Sequence, residues 1–153
     1  MEARKVSESQ VVMTELVLPT HTNALGSVFG GTVMSSIDIA AAICAQRHTR
    51  KIVVTAHIDG MKFVAPVYKG WVVNLKASVN HCGTTSMEIG VRVDAENPQT
   101  GETFHTASAY LTFVALDSHG KPTKVPPLIL ETDEERRRNK AAVQRRDIRL
   151  QKP

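Results

Sequence analysis

Apolar and polar residues change their spacing several times along this chain, and each change marks an element. Val11 to Leu18 is a strand-like run that Pro19 stops, and the stretch from there through Phe29 is rich in turn formers. From Thr32 to about His48 there is no proline or glycine. Val33, Ile37, Ala41 and Cys44 share one helical face there, while Ile39 and Ile43 share another, which predicts a helix apolar on several sides and enclosed by other elements. Its small residues, Ala40, Ala41, Ala42 and Ala45, allow a neighbouring surface to approach closely.

Beyond the helix the period drops to two. Ile52 to Val64 reads as a strand ended by Pro66. Trp71, Val73, Leu75, Ala77 and Val79 then alternate with Val72, Asn74, Lys76, Ser78 and Asn80. A turn at Cys82 and Gly83 leads to Met87, Ile89, Val91, Val93 and Ala95, alternating with Glu88, Arg92, Asp94 and Glu96 on the outward side. A second turn, "NPQTG", leads to Ala107, Ala109, Leu111, Phe113 and Ala115. Such an antiparallel meander has one apolar face, and the early helix is its natural cover, so the fold class is α+β. Pro122, Pro126 and Pro127 break the pattern. "TDEERRRNKAAVQRRDIRL" then opens with Thr132 and Glu135 at capping-box spacing, acids first and bases last, as a helix dipole favours. Residues 131–153 are therefore a charged C-terminal helix or tail, read chiefly as a solvated surface helix with pairs such as Glu134 and Arg138. A grip on a phosphate or on another subunit is the alternative. The whole, 1–153, reads as a single domain with its core at about 10–130.

Composition narrows the function classes. Hydrophobic residues at 42% and charged residues at 22% suit a folded domain, whereas 5% aromatics supply little for stacking on single-stranded nucleic acid. The net charge of +4 is local, because residues 131–153 hold eight of the nineteen Lys and Arg and five of the fifteen acids, leaving eleven bases against ten acids elsewhere. No nucleic-acid partner follows from it. Cys44 and Cys82 lack CxxC spacing and a histidine at metal-ligand spacing, so both read as free thiols in a reducing compartment and no metal site is expected. MEARKVSESQ has no apolar core of a secretory signal. Ala24 to Ala45 is long enough to suggest a membrane span, yet it holds three glycines, three serines, a threonine and a central Asp38; it reads as a helix of a cytoplasmic protein with no membrane partner.

Asp38 carries the chemistry. Apart from His21 it is the only ionisable residue between Leu16 and Gln46 that is charged or close to it at neutral pH. A carboxylate in so apolar a setting must be hydrogen-bonded, protonated, or open to a water-filled cleft. Structural pairing to backbone or to a strand residue such as His57 is one reading; a catalytic carboxylate is the other. Gly30 and Gly31 offer unpaired, unobstructed amides at the helix start, suited to a developing oxyanion, although tight packing also explains a double glycine. Asn23 is by itself a turn residue. Asp38 follows Gly31 by seven residues, about 10 Å along a helix axis, too far for both to act on one atom within one chain. Antiparallel pairing of two such helices from two subunits would bring them together, so a composite dimer site is expected.

The string "HTNALGSVFGGTVMSSID", with "VVTAHIDGMKFVAPVYKG" and "TASAYLTFVALD…GKPTKVPPL", resembles the hotdog-fold acyl-CoA thioesterases, specifically the cytosolic acyl-CoA hydrolase group, over roughly residues 10–130. The resemblance implies a long central helix wrapped by an antiparallel sheet, with dimers often assembled as a trimer of dimers. It also implies hydrolysis of fatty acyl-CoA to fatty acid and coenzyme A. The Gly31 amide would hold the thioester oxygen, Asp38 of a partner chain would act as general base or nucleophile, and Asn23 would orient the water or the carbonyl. Coenzyme A enters as a substrate moiety and product, and no separate cofactor is implied. Met61 and Lys62, with Gly83, Thr84, Thr85 and Ser86 at a hydroxyl-rich turn, are the candidate contacts for it. Some relatives place an arginine near that turn, where this chain reads "HCGTTS". Three other readings stand beside hydrolysis: an acyl-CoA hydratase, for which His48 lies too far along the helix from Asp38; a non-catalytic acyl-CoA sensor; and a structural oligomer, which leaves the lone charge unexplained.

Overall fold

The chain is described by a computed structural model covering residues 1–151. In chain order the elements are β1 (Arg4–Lys5), β2 (Val11–Leu16), α1 (Gly30–Thr49), β3 (Ile52–Phe63), β4 (Val72–Cys82), β5 (Ser86–Glu96), β6 (Thr103–Leu116), β7 (Leu128–Ile129) and α2 (Asp133–Gln151). Single 3-10 turns occupy Val6–Glu8 and Pro19–His21. Five strands form one sheet in the order β2-β4-β5-β6-β3, every neighbouring pair antiparallel. The two-residue strands β1 and β7 pair separately, in parallel.

The alternation read from the sequence sorts the two faces of the sheet as expected. Leu75, Ile89, Val93, Leu111 and Phe113 are each exposed by 1% or less, and α1 lies across them with Val33, Ile37, Ala40, Ala41, Cys44 and Ala45 turned inward. Four of those residues are alanine or cysteine, which lets the helix axis sit close to the sheet. The helix starts at Gly30, two residues before the expected start, with Phe29 extended at the cap. It ends where Arg50 adopts a left-handed backbone, φ 58°, and returns its amide to the Gln46 carbonyl at 2.7 Å.

Three expectations change. The second apolar face of α1 is not enclosed within one chain: Ile39 is 49% exposed and Met34 42%, because nothing in the described residues covers that side. Beside it runs β3, twelve residues long at the rim of the sheet, with Ile52, Val54 and Ile58 exposed. Long apolar edges of this kind invite pairing with another chain.

The outward side of the sheet is also not uniformly solvated. Glu88, assigned there by its alternation, is only 6% exposed because α2 docks over it. Arg145 grips both Glu88 oxygens at 2.8 Å and lies 3.6 Å over the Tyr110 ring; the Asn80 amide donates to the same carboxylate at 2.9 Å. Arg149 reaches Asp59, and Ala142 is buried. The helix is thus a packed layer and not the solvated one expected, although its exposed flank carries the anticipated Glu134–Arg138 pair. Thr132 caps the Glu135 amide, while the Glu135 carboxylate turns back to the Glu131 amide, one residue earlier than in a regular capping box. Close packing beneath α2 also explains Gly90, where a Cβ would stand 2.6 Å from the Asn80 amide nitrogen. Lys152 and Pro153, the end of the predicted charged segment, lie outside the described residues.

His48 anchors the far end of α1. Fully buried, it sets Nε2 2.8 Å from the Pro126 carbonyl, so that nitrogen carries the proton, and 3.3 Å from Cys82 Sγ. Spacing in the sequence gives Cys82 no histidine partner at metal-ligand distance; the fold brings His48 against it. Both cysteines are free, burial pushes each thiol up to about 12, and among the described residues no cluster of three metal-ligating side chains forms. Burial holds the imidazole below its ordinary pKa, and the Arg4 charge acts in the same sense, against the Pro126 carbonyl and Glu8, which favour the protonated form. A base with a depressed folded pKa contributes stability above its unfolded value, near 6.5, and loses it as pH falls. Urea midpoints should therefore drop from pH 7 to pH 5, and His48→Gln should make that drop smaller; an unchanged pH dependence would remove His48 as its source.

Candidate functional site

Asp38 sits on the uncovered side of α1, in line with Met34 one turn earlier and beside Ile39. It is half-buried and not locked to a cation. Its Oδ1 accepts a hydrogen bond of 2.7 Å from the Thr55 hydroxyl on β3, and no ion pair to it forms among the described residues. The suggested His57 partnership does not occur, because His57 bonds Asp59 at 2.8 Å. One hydroxyl partner leaves the second carboxylate oxygen open on an apolar face. Thr55 is the site residue that sequence reading missed; its signal was a lone hydroxyl in a β-branched edge strand, which looks the same as ordinary strand propensity.

Gly30 and Gly31 open α1 as expected. Phe29 offers no side-chain cap and its carbonyl accepts from the Thr32 and Val33 amides at 3.0 and 3.3 Å, so the Gly30 and Gly31 amides take no acceptor from it, and a Cβ at Gly31 would meet nothing within 4 Å. Beside them lies a cavity of about 390 Å³ between the helix start and the segment Phe63–Val67, with Thr106 in its wall. The Phe63 ring stands 3.6 Å from where a Gly30 Cβ would be. A larger cavity, about 520 Å³, lies under α2 on the other side of the sheet, far from Asp38. Lys76, Arg92, Arg137, Arg138 and Arg145 line it; Arg92 and Arg145 each pair with a carboxylate, while Arg137 and Arg138 share Glu134, so the cavity keeps a positive excess.

Asn23 does not reach either group within the chain. Its Oδ1 accepts from the amides of Leu25 and Ser27 at 2.9 and 3.3 Å, and its Nδ2 meets the Ser27 hydroxyl at 3.0 Å, so it fastens the loop that delivers the chain into α1. The coenzyme A candidates split into two groups. Along the ladder Ser86 aligns with Val114 and Val54, whereas Lys62 aligns with Ser108 and Arg92. Six strand residues separate those rows, about 20 Å at 3.3 Å each. Met61 and Lys62 accompany the helix start; Gly83, Thr84, Thr85 and Ser86 lie at the opposite end of the sheet. Separate ends of one chain cannot both hold one small group, and the same holds for Gly31 and Asp38. A two-fold pairing along the free β3 edges would cure both separations together, because antiparallel edges set each helix start beside the other chain's Asp38 end.

The thioesterase superfamily model matches residues 25–102. An uncharacterized acyl-CoA thioester hydrolase of Bacillus subtilis is 45% identical over 148 residues, covering 97% of this chain and 86% of the relative. An apo hexameric acyl-CoA thioesterase superposes with a TM-score of 0.95 at 41% identity, over 98% of this chain and 96% of that one. The acyl-CoA hydrolase of Staphylococcus aureus, solved with butyryl coenzyme A, coenzyme A and its disulfide, gives 0.91 at 38% identity over 97% and 90%. Alanine variants of that hydrolase were made at an asparagine, an aspartate and a threonine spaced 15 and then 17 residues apart, the spacing of Asn23, Asp38 and Thr55 here.

Proposed function

The chain belongs to the thioesterase superfamily, with its hotdog fold, and on that premise we propose that it hydrolyses fatty acyl-CoA at a site shared by two subunits, with Asp38 of one facing the helix start of the other. The observation that carries this is the Asp38 carboxylate itself: half-open, held by a single hydroxyl, free of any cation among the described residues, and set on the apolar side that only a second chain can cover.

Asp38 takes a proton from water through its free oxygen while Thr55 fixes the other. Hydroxide adds to the thioester carbon, the carbonyl π electrons move to oxygen, and the Gly31 amide at the positive end of the α1 dipole holds the charge. Collapse breaks the C–S bond, releasing coenzyme A thiol and a carboxylic acid. Asn23 acts by shaping the loop before α1. In a two-fold pair, Met61 and Lys62 of one chain lie at the same end as the partner's turn 83–86, which supports a coenzyme A groove built from both. Self-association as a dimer, and of three dimers into a hexamer, the number of subunits in one relative, belongs to the same reading, as does a cytoplasmic location suited to two free thiols. No described helix is long and apolar enough to cross a membrane. Hydratase chemistry is disfavoured because His48 is buried against Pro126.

The assay is thiol release from acyl-CoAs of short, medium and long chain by the purified protein. Release that follows enzyme concentration supports hydrolysis; binding of acyl-CoA without release would make the protein a sensor.

A further inference from the structure

Thr106 is 1% exposed, and its hydroxyl has no hydrogen-bonding partner in the protein. Buried hydroxyls are seldom left unpaired, so this one calls for a reason. Its position supplies one. Between β5 and β6 the register passes from Val93 with Ala107 to Asp94 with His105, which makes Thr106 the extra residue of a β-bulge, a device that re-aims a side chain. The Thr106 carbonyl accepts from the Val64 amide at 2.8 Å, fixing it beside the segment that packs on Gly30. Thr106 also lines the 390 Å³ cavity at the start of α1. Only two side chains in that lining can hydrogen-bond, Ser27 and Thr106, and the Ser27 hydroxyl is committed to Asn23.

We propose that Thr106 is a further substrate-contacting residue: its hydroxyl donates a second hydrogen bond to the thioester oxygen held by the Gly31 amide. The inference rests on the hydrolase reading. A carbonyl oxygen has two lone-pair positions, and one backbone amide satisfies one of them. As water adds, the oxygen gains the π electron pair and both donors shorten onto it; when the C–S bond breaks, that pair re-forms the carbonyl, the C–S bonding pair leaves on sulfur, and the proton Asp38 took from water passes to the thiolate. Thr106 is neither consumed nor deprotonated. The remaining wall, Val28, Phe63, Val64 and Val67 among it, is apolar and offers the oxygen no competing donor.

The test compares the full-length wild type with Thr106→Val, Thr106→Ser and Asp38→Asn, measuring kcat, KM and melting temperature with one acyl-CoA. Valine keeps the volume and deletes the donor, so its kcat should fall about 100-fold, with KM little changed and the melting temperature equal or higher. Serine should restore most of kcat. A wild-type kcat in Thr106→Val, beside an inactive Asp38→Asn, overturns this inference and leaves the hydrolase reading standing. A fall in kcat matched by a lower melting temperature and not rescued by serine overturns it as well, since the hydroxyl is then structural. Full activity in Asp38→Asn would instead strike the hydrolase reading itself.

Discussion

Asp38→Asn lowers the rate of acyl-CoA hydrolysis by about 10² to 10⁴, the range a positioned general base contributes, while KM and unfolding stability stay close to wild type. The separation of effects follows from the geometry. Asparagine keeps an oxygen to accept the Thr55 hydroxyl, so the α1–β3 contact survives, and no buried cation is left without its counter-charge. What disappears is the basicity of the free oxygen. Thr55→Val should act more weakly, since it removes an orienting bond and leaves the base. Steady-state thiol release with parallel denaturant curves checks both. Equal activity in Asp38→Asn and wild type would make the lone carboxylate an ornament of the dimer face.

Arg145→Ala should destabilise the fold by about 2 to 3 kcal/mol, at or just below the lower end of the range for breaking a fully buried pair, because Arg145 keeps a quarter of its side chain in solvent. The loss comes less from the pair than from what remains. Glu88, 7% exposed in its side chain, would keep only the Asn80 amide against its charge and would also lose the guanidinium cover over Tyr110. Replacing both members, Glu88→Gln with Arg145→Met, should recover part of the stability by removing the stranded charge. Urea denaturation reads all three. A change within about 0.5 kcal/mol for Arg145→Ala, the size of an ordinary surface substitution, would mean that α2 rests on the sheet without holding it.

These two expectations mark where the amino-acid pattern speaks and where it is silent. Period-two spacing sorted Leu75, Ile89 and Leu111 to the core because a residue's face on a strand depends only on its neighbours in sequence. It could not say that β3 crosses to the far edge and pairs with β6, since strand order depends on contacts between distant segments. Glu88 occupies an outward position whether water or Arg145 meets it, so the docking of α2 left no trace in the alternation. Asp38 was conspicuous by its isolation. Its half-exposure and its Thr55 partner were not, because both depend on β3 packing beside α1, a contact between segments distant in sequence. Asn23 shows the reverse: recognised by its motif, it proves to be tied into its own loop.

Assembly of each site from two chains is the claim on which the rest depends, and mixed subunits test it. Asp38→Asn lacks the base, and Gly31→Pro lacks the amide donor at a first-turn position where proline is tolerated. Each alone should be nearly inactive. Co-expressed in equal amounts, they should recover about a quarter of wild-type activity, because half of the two-fold pairs are mixed and each mixed pair holds one intact site. A mixture as inactive as its parents would put both groups of each site in one chain and contradict the account.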